Sequence, residues 1–271
     1  MLEIDPEETT EAVIEFIRSY TENAGVKNVV IGLSGGLDSA VIIKLALLSL
    51  GKKNVHAIFM PELSTPVEDF EHVRLISREL DIDYETIDIS PLIHSIRKMY
   101  PYAIDEITLG NIKSRLRMLL WYGYSNLKKS LVCGCSNKTE LLIGYFTKYG
   151  DGGSDFMPIG DLYKTQIYQL AEYLEIPQPI IKKAPSAGLW KGQTDEKELG
   201  ISYEKLDKIL YGLERKMPLQ KIARIADVDE SEVIRIQTMC KLSQHKRNVP
   251  LIPKIGLRTI SLDWRSPVQE K

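Results

Sequence analysis

The chain has 271 residues, 44% apolar and 27% charged, and its 35 Lys plus Arg nearly balance 37 Asp plus Glu, for a formal net charge of −2. That balance excludes disorder as the global state and gives no footing for non-specific binding to nucleic acid or an anionic membrane. No apolar run approaches the roughly 18 residues that span a bilayer, and the acidic start over residues 1–10 is unlike a secretory or mitochondrial leader, so a cytoplasmic protein is expected.

The spacing of Val13, Ile14, Phe16 and Ile17 predicts an amphipathic helix over residues 12–20. A β-branched run, Asn28–Gly32, then reads as a strand, followed by a glycine loop and an apolar helix over 38–50 that stops at Gly51. The pattern repeats with a strand at 55–60, a helix at 66–80, an alternating strand at 84–89 and a helix opening at Pro91. A long helix over 104–127 precedes a fourth strand, Ser130–Gly134, and a helix from Lys138 to Tyr145. Strands separated by helices predict a doubly wound parallel α/β sheet, with the ends of strands one and four adjacent at a switch point.

The segment Gly150–Asp155 has three glycines and no apolar residue and must be a loop, after which a helix is expected over 161–174. Residues 177–200 hold three prolines and three glycines and offer little regular structure; a loop that long is usually functional or disordered. The tail from Ser202 to Arg247 reads as three helices, and residues 219–236 have helix-turn-helix spacing. Its second helix opens on Asp229, Glu230 and Glu232, which phosphates repel, so helix-pair packing is favoured over DNA reading. One domain over residues 1–271 is expected, about 25–200 forming the α/β core and about 201–250 a helical C-terminal extension.

Cys133, Cys135 and Cys240 cannot all pair, and Cys133 and Cys135 lie too close for an ordinary disulfide. With no second cysteine pair and only four histidines, small residues closing a buried strand are favoured over a Cys-Gly-Cys metal site.

The chemistry concentrates in Ser34-Gly35-Gly36-Leu37-Asp38-Ser39, directly after a strand and before a helix. Adjacent glycines let the backbone approach a ligand, and the helix N-terminus behind them offers free N–H groups and a partial positive charge, which suits phosphate. Asp38 would repel that phosphate unless a divalent cation lay between them, and magnesium is the simplest choice. No Walker A lysine and no G-x-G-x-x-G motif is present. The bland alternative is a strand-to-helix turn with Asp38 as its N-cap.

At these residues the sequence resembles the ATP pyrophosphatase family, whose S-G-G-x-D-S loop grips the β and γ phosphates while ATP is split to AMP and pyrophosphate. Farther on, Asn137-Lys138-Thr139-Glu140, the stretches 144–152 and 158–165, Glu198–Tyr203 and His245-Lys246-Arg247 look like the ammonia-dependent NAD synthetases over nearly the whole chain. The implied reaction is ATP-dependent amidation of nicotinic acid adenine dinucleotide, deamido-NAD, to NAD through an acyl adenylate, with ammonia as nitrogen donor. The resemblance implies catalytic roles for Ser34, Asp38 and Ser39, and ATP contacts from Ser34, Gly35, Gly36, Leu37, Asp38, Ser39, Cys135, Lys164 and Ser186. It implies magnesium on Asp38 and Glu140, and dinucleotide contacts from Arg115, Lys148, Asp155, His245 and Lys246. Asp155, the one acid among these, is expected to serve hydrogen bonding or the incoming ammonium. Phe59 and Met60, at the end of strand two, are expected against adenine.

One departure stands in the ATP set: family members commonly carry Gly-Thr where this chain has Gly134-Cys135, and a thiol is a weak donor. Ser186 stands where the family often has Thr and keeps the hydroxyl, so residues around it are expected to form a lid that excludes water. The chain lacks residues for a glutaminase domain, which leaves free ammonia as donor. Family members are homodimers, and the long helix with Trp121, Tyr122 and Tyr124 is a candidate for that contact. Rival readings are another amide synthetase of the pyrophosphatase class, such as a GMP or asparagine synthetase, a tRNA thiolase, or a non-catalytic ATP-sensing regulator whose C-terminal helices touch DNA.

Overall fold

The computed structural model describes residues 2–190 and 192–257; Met1, Lys191 and residues 258–271, which the predicted single domain included, lie outside the described residues. Four parallel strands, β1 (Asn28–Gly32), β2 (Val55–Phe59), β3 (Tyr84–Thr86) and β4 (Ser130–Cys133), form one sheet in the order β3-β2-β1-β4. Val29 pairs with Leu131 and Ile31 with Cys133, so β1 and β4 end side by side at the expected switch point. β3 is shorter than its apolar alternation suggested, although Ile87 N and Ile89 N continue toward β2 by donating to Phe59 O and Pro61 O.

The helices in chain order are α1 (Pro6–Asn23), α2 (Leu37–Leu50), α3 (Val67–Glu79), α4 (Ser90–Met99), α5 (Glu106–Lys128), α6 (Lys138–Ile143) and α7 (Lys164–Tyr173). They continue as α8 (Gln178–Ile181), α9 (Asp195–Leu199), α10 (Tyr203–Glu214), α11 (Leu219–Ala226), α12 (Glu230–Leu242) and α13 (Gln244–Arg247). α1 starts nearly two turns before the apolar spacing began, at Pro6, because Asp5 caps it by accepting from Glu7 N and Glu8 N and Pro6 takes its first position.

Side-chain alternation divides the sheet between two cores. Val29, Ile31, Ala57, Phe59 and Cys133 face one side, packing with α1, α2 and α7. Val30, Ile58 and Val132 face the other, packing with α4 and α5. α2 is buried almost all round, with Ala40, Val41, Ile42 and Ile43 fully enclosed, which explains its lack of a polar face.

Two short helices interrupt the 177–200 stretch, where regular structure was not expected. Pro179 sits in the first turn of α8, where a missing N–H costs nothing, and Asp195, Glu196 and Glu198 load the first turn of α9 with favourable charge. The tail contains four helices in place of three, since the chain turns again after α12 into the single turn of α13. Leu206, Ile209, Ile222, Val233 and Ile236 form a separate apolar core that reaches back to Ile143 and Tyr163. No helix among the described residues is long and apolar enough to cross a membrane.

Candidate active site

The Ser34–Ser39 loop leaves the end of β1 and enters α2 with Gly36, and not Asp38, at the N-cap. Asp38 therefore lies in the first helical turn, and the cap offers no side chain to occupy the free N–H groups. The loop is knitted by its own serines: Ser39 Oγ donates to Gly36 O at 2.9 Å, Ser34 N donates to Ser39 Oγ at 3.3 Å, and Gly36 N donates to Ser34 Oγ at 3.2 Å. Gly35 has φ +77°, and a Cβ there would come within 2.8 Å of Asp69 O, so both conformation and space demand glycine. His72, buried in α3, has its Nδ1 3.2 Å from Gly35 O and holds the bend from behind.

Asp38 meets two hydrogen-bond partners drawn from distant segments. Lys164 Nζ donates to its Oδ2, and Asn137 Nδ2 donates to its Oδ1 at 3.3 Å. Asn137 is also the N-cap of α6: its Oδ1 accepts from Glu140 N at 3.0 Å, while Glu140 Oε2 accepts from Asn137 N at 3.2 Å. This capping box fixes the Glu140 carboxylate beside Asp38. Burial first, and then Asp38, push the Glu140 carboxyl well above its ordinary value. Burial works against the Lys164 charge, but Asp38 and Glu140 outweigh it and raise its pKa. Two carboxylates and one ammonium thus share a space of low polarity at the phosphate-competent end of α2.

The elements behind this cluster are tied to the C-terminal helices. Thr139 Oγ1 accepts from Lys164 N at 2.9 Å and donates to Asp207 Oδ1 at 2.6 Å; Asp207 Oδ2 accepts from Thr165 N at 2.8 Å. Asp207, fully buried in α10, so caps the N-terminus of α7 from another helix.

A cavity of about 820 Å³ opens over the cluster. Ser34, Gly36, Leu37, Asp38 and Ser39 form its floor, joined by Cys135, Glu140 and Lys164; Ser186 lies in its roof, and Phe59 and Met60 line one side. Burial, Asp38 and Glu140 push the Cys135 thiol far up, so it stays protonated. Cys133 is buried at the end of β4, and among the described residues no group of three His, Cys, Asp or Glu forms a metal cage. Asp195 grips the roof on both sides of Ser186, donating its N–H to Pro185 O at 3.0 Å and accepting from Ala187 N through Oδ1 at 3.0 Å. Lys183 pairs with Asp69 and ties the roof to α3.

The residues expected at the dinucleotide divide into two groups. Arg115 Nε donates to Lys148 O at 3.2 Å, Lys148 Nζ to His245 O at 2.8 Å, and Lys246 Nζ to Gly144 O and Phe146 O at 2.7 and 2.8 Å. α5, the loop after α6 and α13 so converge in one basic chain, of which Lys246 reaches the cavity lining. Asp155 is elsewhere: its Oδ2 accepts from Val132 N at 2.7 Å and its Oδ1 from Tyr122 OH at 3.2 Å. The 150–155 loop doubles back along β4, whose outer edge has an unpaired N–H, and the Asp155 carboxylate satisfies it.

A family model described as NAD synthase matches residues 9–250. The chain belongs to that family. A curated NH(3)-dependent NAD(+) synthetase of Methanosarcina mazei is 46% identical over 259 residues, 93% of this chain and all of that one. Among solved structures, the NMN synthetase of Francisella tularensis superposes with TM-score 0.83 at 33% identity, and the NH3-dependent NAD synthetase of Campylobacter jejuni with 0.80 at 34%. Each covers 93% of this chain and is itself covered completely.

Within the family frame, α5 is where reading the sequence missed most. Ile107, Asn111, Ser114, Arg117 and Trp121 line the cavity at helical spacing, a face hidden among residues read as core or interface. Trp121 packs on Gly32, where a Cβ would come within 2.3 Å of its indole ring, and Arg117 Nε donates to Met60 O at 3.1 Å. Tyr122 and Tyr124 hydrogen-bond to Asp155 and Glu85 within the chain.

Proposed function

We propose that the chain is an ammonia-dependent NAD synthetase, a ligase that converts the nicotinic carboxylate of deamido-NAD to the amide with ATP as co-substrate. The observation that carries this reading is the meeting of Asp38, Glu140 and Lys164 at the uncapped N-terminus of α2. It is supported by membership of a family whose curated members, 41–46% identical, carry that name. The mononucleotide acid, substrate class of the Francisella neighbour's name, is the second acceptor to be compared, because that neighbour shares 33% of residues.

The Ser34–Ser39 loop and the first turn of α2 receive the β and γ phosphates, with Ser34, Gly35, Gly36, Leu37 and Ser39 offering backbone and hydroxyl donors. Asp38 and Glu140 would hold a magnesium ion, since two carboxylates that repel each other in a buried site suit a hard cation. When bound, magnesium neutralises charge that gathers on the phosphates. Lys164 supplies the fixed positive charge beside them, and Ser186 adds a hydroxyl from the roof.

The substrate carboxylate oxygen attacks the α phosphorus, pyrophosphate leaves, and ammonia then attacks the acyl carbon so that the oxygen departs with AMP. Positioning and charge stabilisation carry both steps. Arg115, Lys148, His245 and Lys246 hold the anionic dinucleotide, while Cys135 gives the ATP site an apolar contact where a hydroxyl is usual. The active form is a cytoplasmic homodimer, and the C-terminal helices belong to the same folding unit as the sheet, a reading supported by the Asp207 bonds.

Oxygen transfer tests the adenylate. Deamido-NAD labelled with heavy oxygen in its carboxylate will give AMP carrying one labelled oxygen per NAD formed. Unlabelled AMP overturns the acyl-adenylate route.

A further inference from the structure

Lys113 projects from α5 with its side chain only 5% exposed, and Glu62, its partner after β2, is 6% exposed. Its ammonium donates to Glu62 Oε1 at 2.7 Å, to Ser64 Oγ at 3.2 Å and to Leu189 O at 2.7 Å. Three donors have three acceptors, and the third belongs to the roof of the cavity. The N–H of the same residue, Leu189, is taken by Gln193 Oε1 at 2.8 Å, and Gln193 Nε2 is anchored to Glu198 in α9 at 2.9 Å. Both polar groups of one roof residue are therefore held by buried side chains.

The apolar contact beneath agrees. A Cβ on Gly110, one turn before Lys113 in α5, would stand 3.1 Å from Leu189 Cβ and 3.3 Å from Trp190 Cζ3, so glycine lets the roof lie directly on the helix. An ion pair serving only to fill the core would need Glu62 and Ser64; the bond to Leu189 crosses to a segment 76 residues away in sequence.

We propose that Lys113 is a positioning residue that latches the 184–190 roof onto α5 and so keeps water from the reacting carbonyl. The proposal rests on the adenylation reading above. Water that reached the acyl adenylate would attack its carbonyl carbon; the carbon–oxygen bond would break, the oxygen would leave with AMP, and the acid would return with loss of a proton. ATP would then be split to AMP and pyrophosphate with no amide made. The latch governs this partition, not the capacity to form the adenylate.

The experiment compares AMP with NAD produced by the full chain, with Lys113→Met and with Gly110→Leu, and follows hydrogen exchange at the Leu189 amide. Leucine is a good helix former, so Gly110→Leu leaves α5 and the Lys113–Glu62 pair in place while occupying the space of the roof. The latch predicts an AMP to NAD ratio at least about threefold above the parent in both variants, with faster Leu189 exchange. A parent-like ratio and unchanged exchange in Gly110→Leu overturn it, and this arm decides the matter if Lys113→Met fails to fold. If the parent itself releases ADP and no AMP, the adenylation reading fails instead, while the exchange arm still tests the latch.

Discussion

Lys164 and Asp38, 126 residues apart in sequence, pair at the end of the Ser34–Ser39 loop, the lysine side chain 3% exposed and the aspartate 18%. The pair joins the first turn of α2 to the first residue of α7, so the sheet's switch point and the start of a later helix hold one charge cluster. Replacing Asp38 by Asn keeps the shape but removes the carboxylate that Lys164 pairs with and that the proposed magnesium ion would use. We expect Asp38→Asn to lower AMP formation by at least about 100-fold while the far-UV circular dichroism stays that of the parent. Unchanged turnover with the same magnesium dependence contradicts the assignment.

In the proposed function Lys148 serves the dinucleotide and not ATP, and it lies in the basic chain with Arg115 and His245. Lys148→Ala is expected to raise KM for deamido-NAD by about tenfold, the loss of a charge-assisted contact, with KM for ATP little changed. Equal effects on both substrates remove Lys148 from the dinucleotide site.

Asp207 accepts two hydrogen bonds in a fully buried place, from Thr139 Oγ1 and Thr165 N. Asparagine can accept only one of them, so Asp207→Asn should lose about 1–3 kcal/mol of stability in urea titration. Because Thr139 also receives Lys164 N, kcat should fall with it. A variant of parental stability and activity shows that the C-terminal helices do not support the site.

The Glu62 carboxyl has a definite pH signature. Burial pushes it up, yet hydrogen bonds from Lys113 and Ser64 outweigh burial and hold it below its ordinary value of 4.5. A depressed carboxylate contributes stability that is fully present above the unfolded value and is lost as pH falls through the folded one. The stability gap between the parent and Glu62→Gln should therefore be constant near neutrality and shrink as pH falls below 4.5, as denaturant midpoints along a pH series will show. A gap that widens on acidification contradicts the pairing.

Much of the architecture is legible because local chemistry and tertiary packing agree. The β-branched run at Asn28–Gly32, the glycines after it and the apolar α2 all specify strand, loop and helix, and Asn137 with Glu140 carries the capping-box spacing. Asp38, Glu140 and Lys164 meet because they sit at the ends of elements that the parallel topology brings to one edge. Asp155 departs because its loop folds along β4, a non-local pairing that residue order does not announce. Lys113, Arg117 and Trp121 are hidden for a related reason: α5 faces the cavity as well as the core, so its apolar and polar spacings overlap. The roof over 184–190 is held by Lys113 and Asp195 through backbone groups, which carry no sequence signal.

The most direct measurement is product analysis with ATP, magnesium, ammonium and, in separate reactions, deamido-NAD or nicotinic acid mononucleotide. NAD and AMP in equal amounts from the dinucleotide, with much slower turnover of the mononucleotide, is the predicted result. AMP without NAD, amide formation confined to the mononucleotide, or neither product from folded protein contradicts the account.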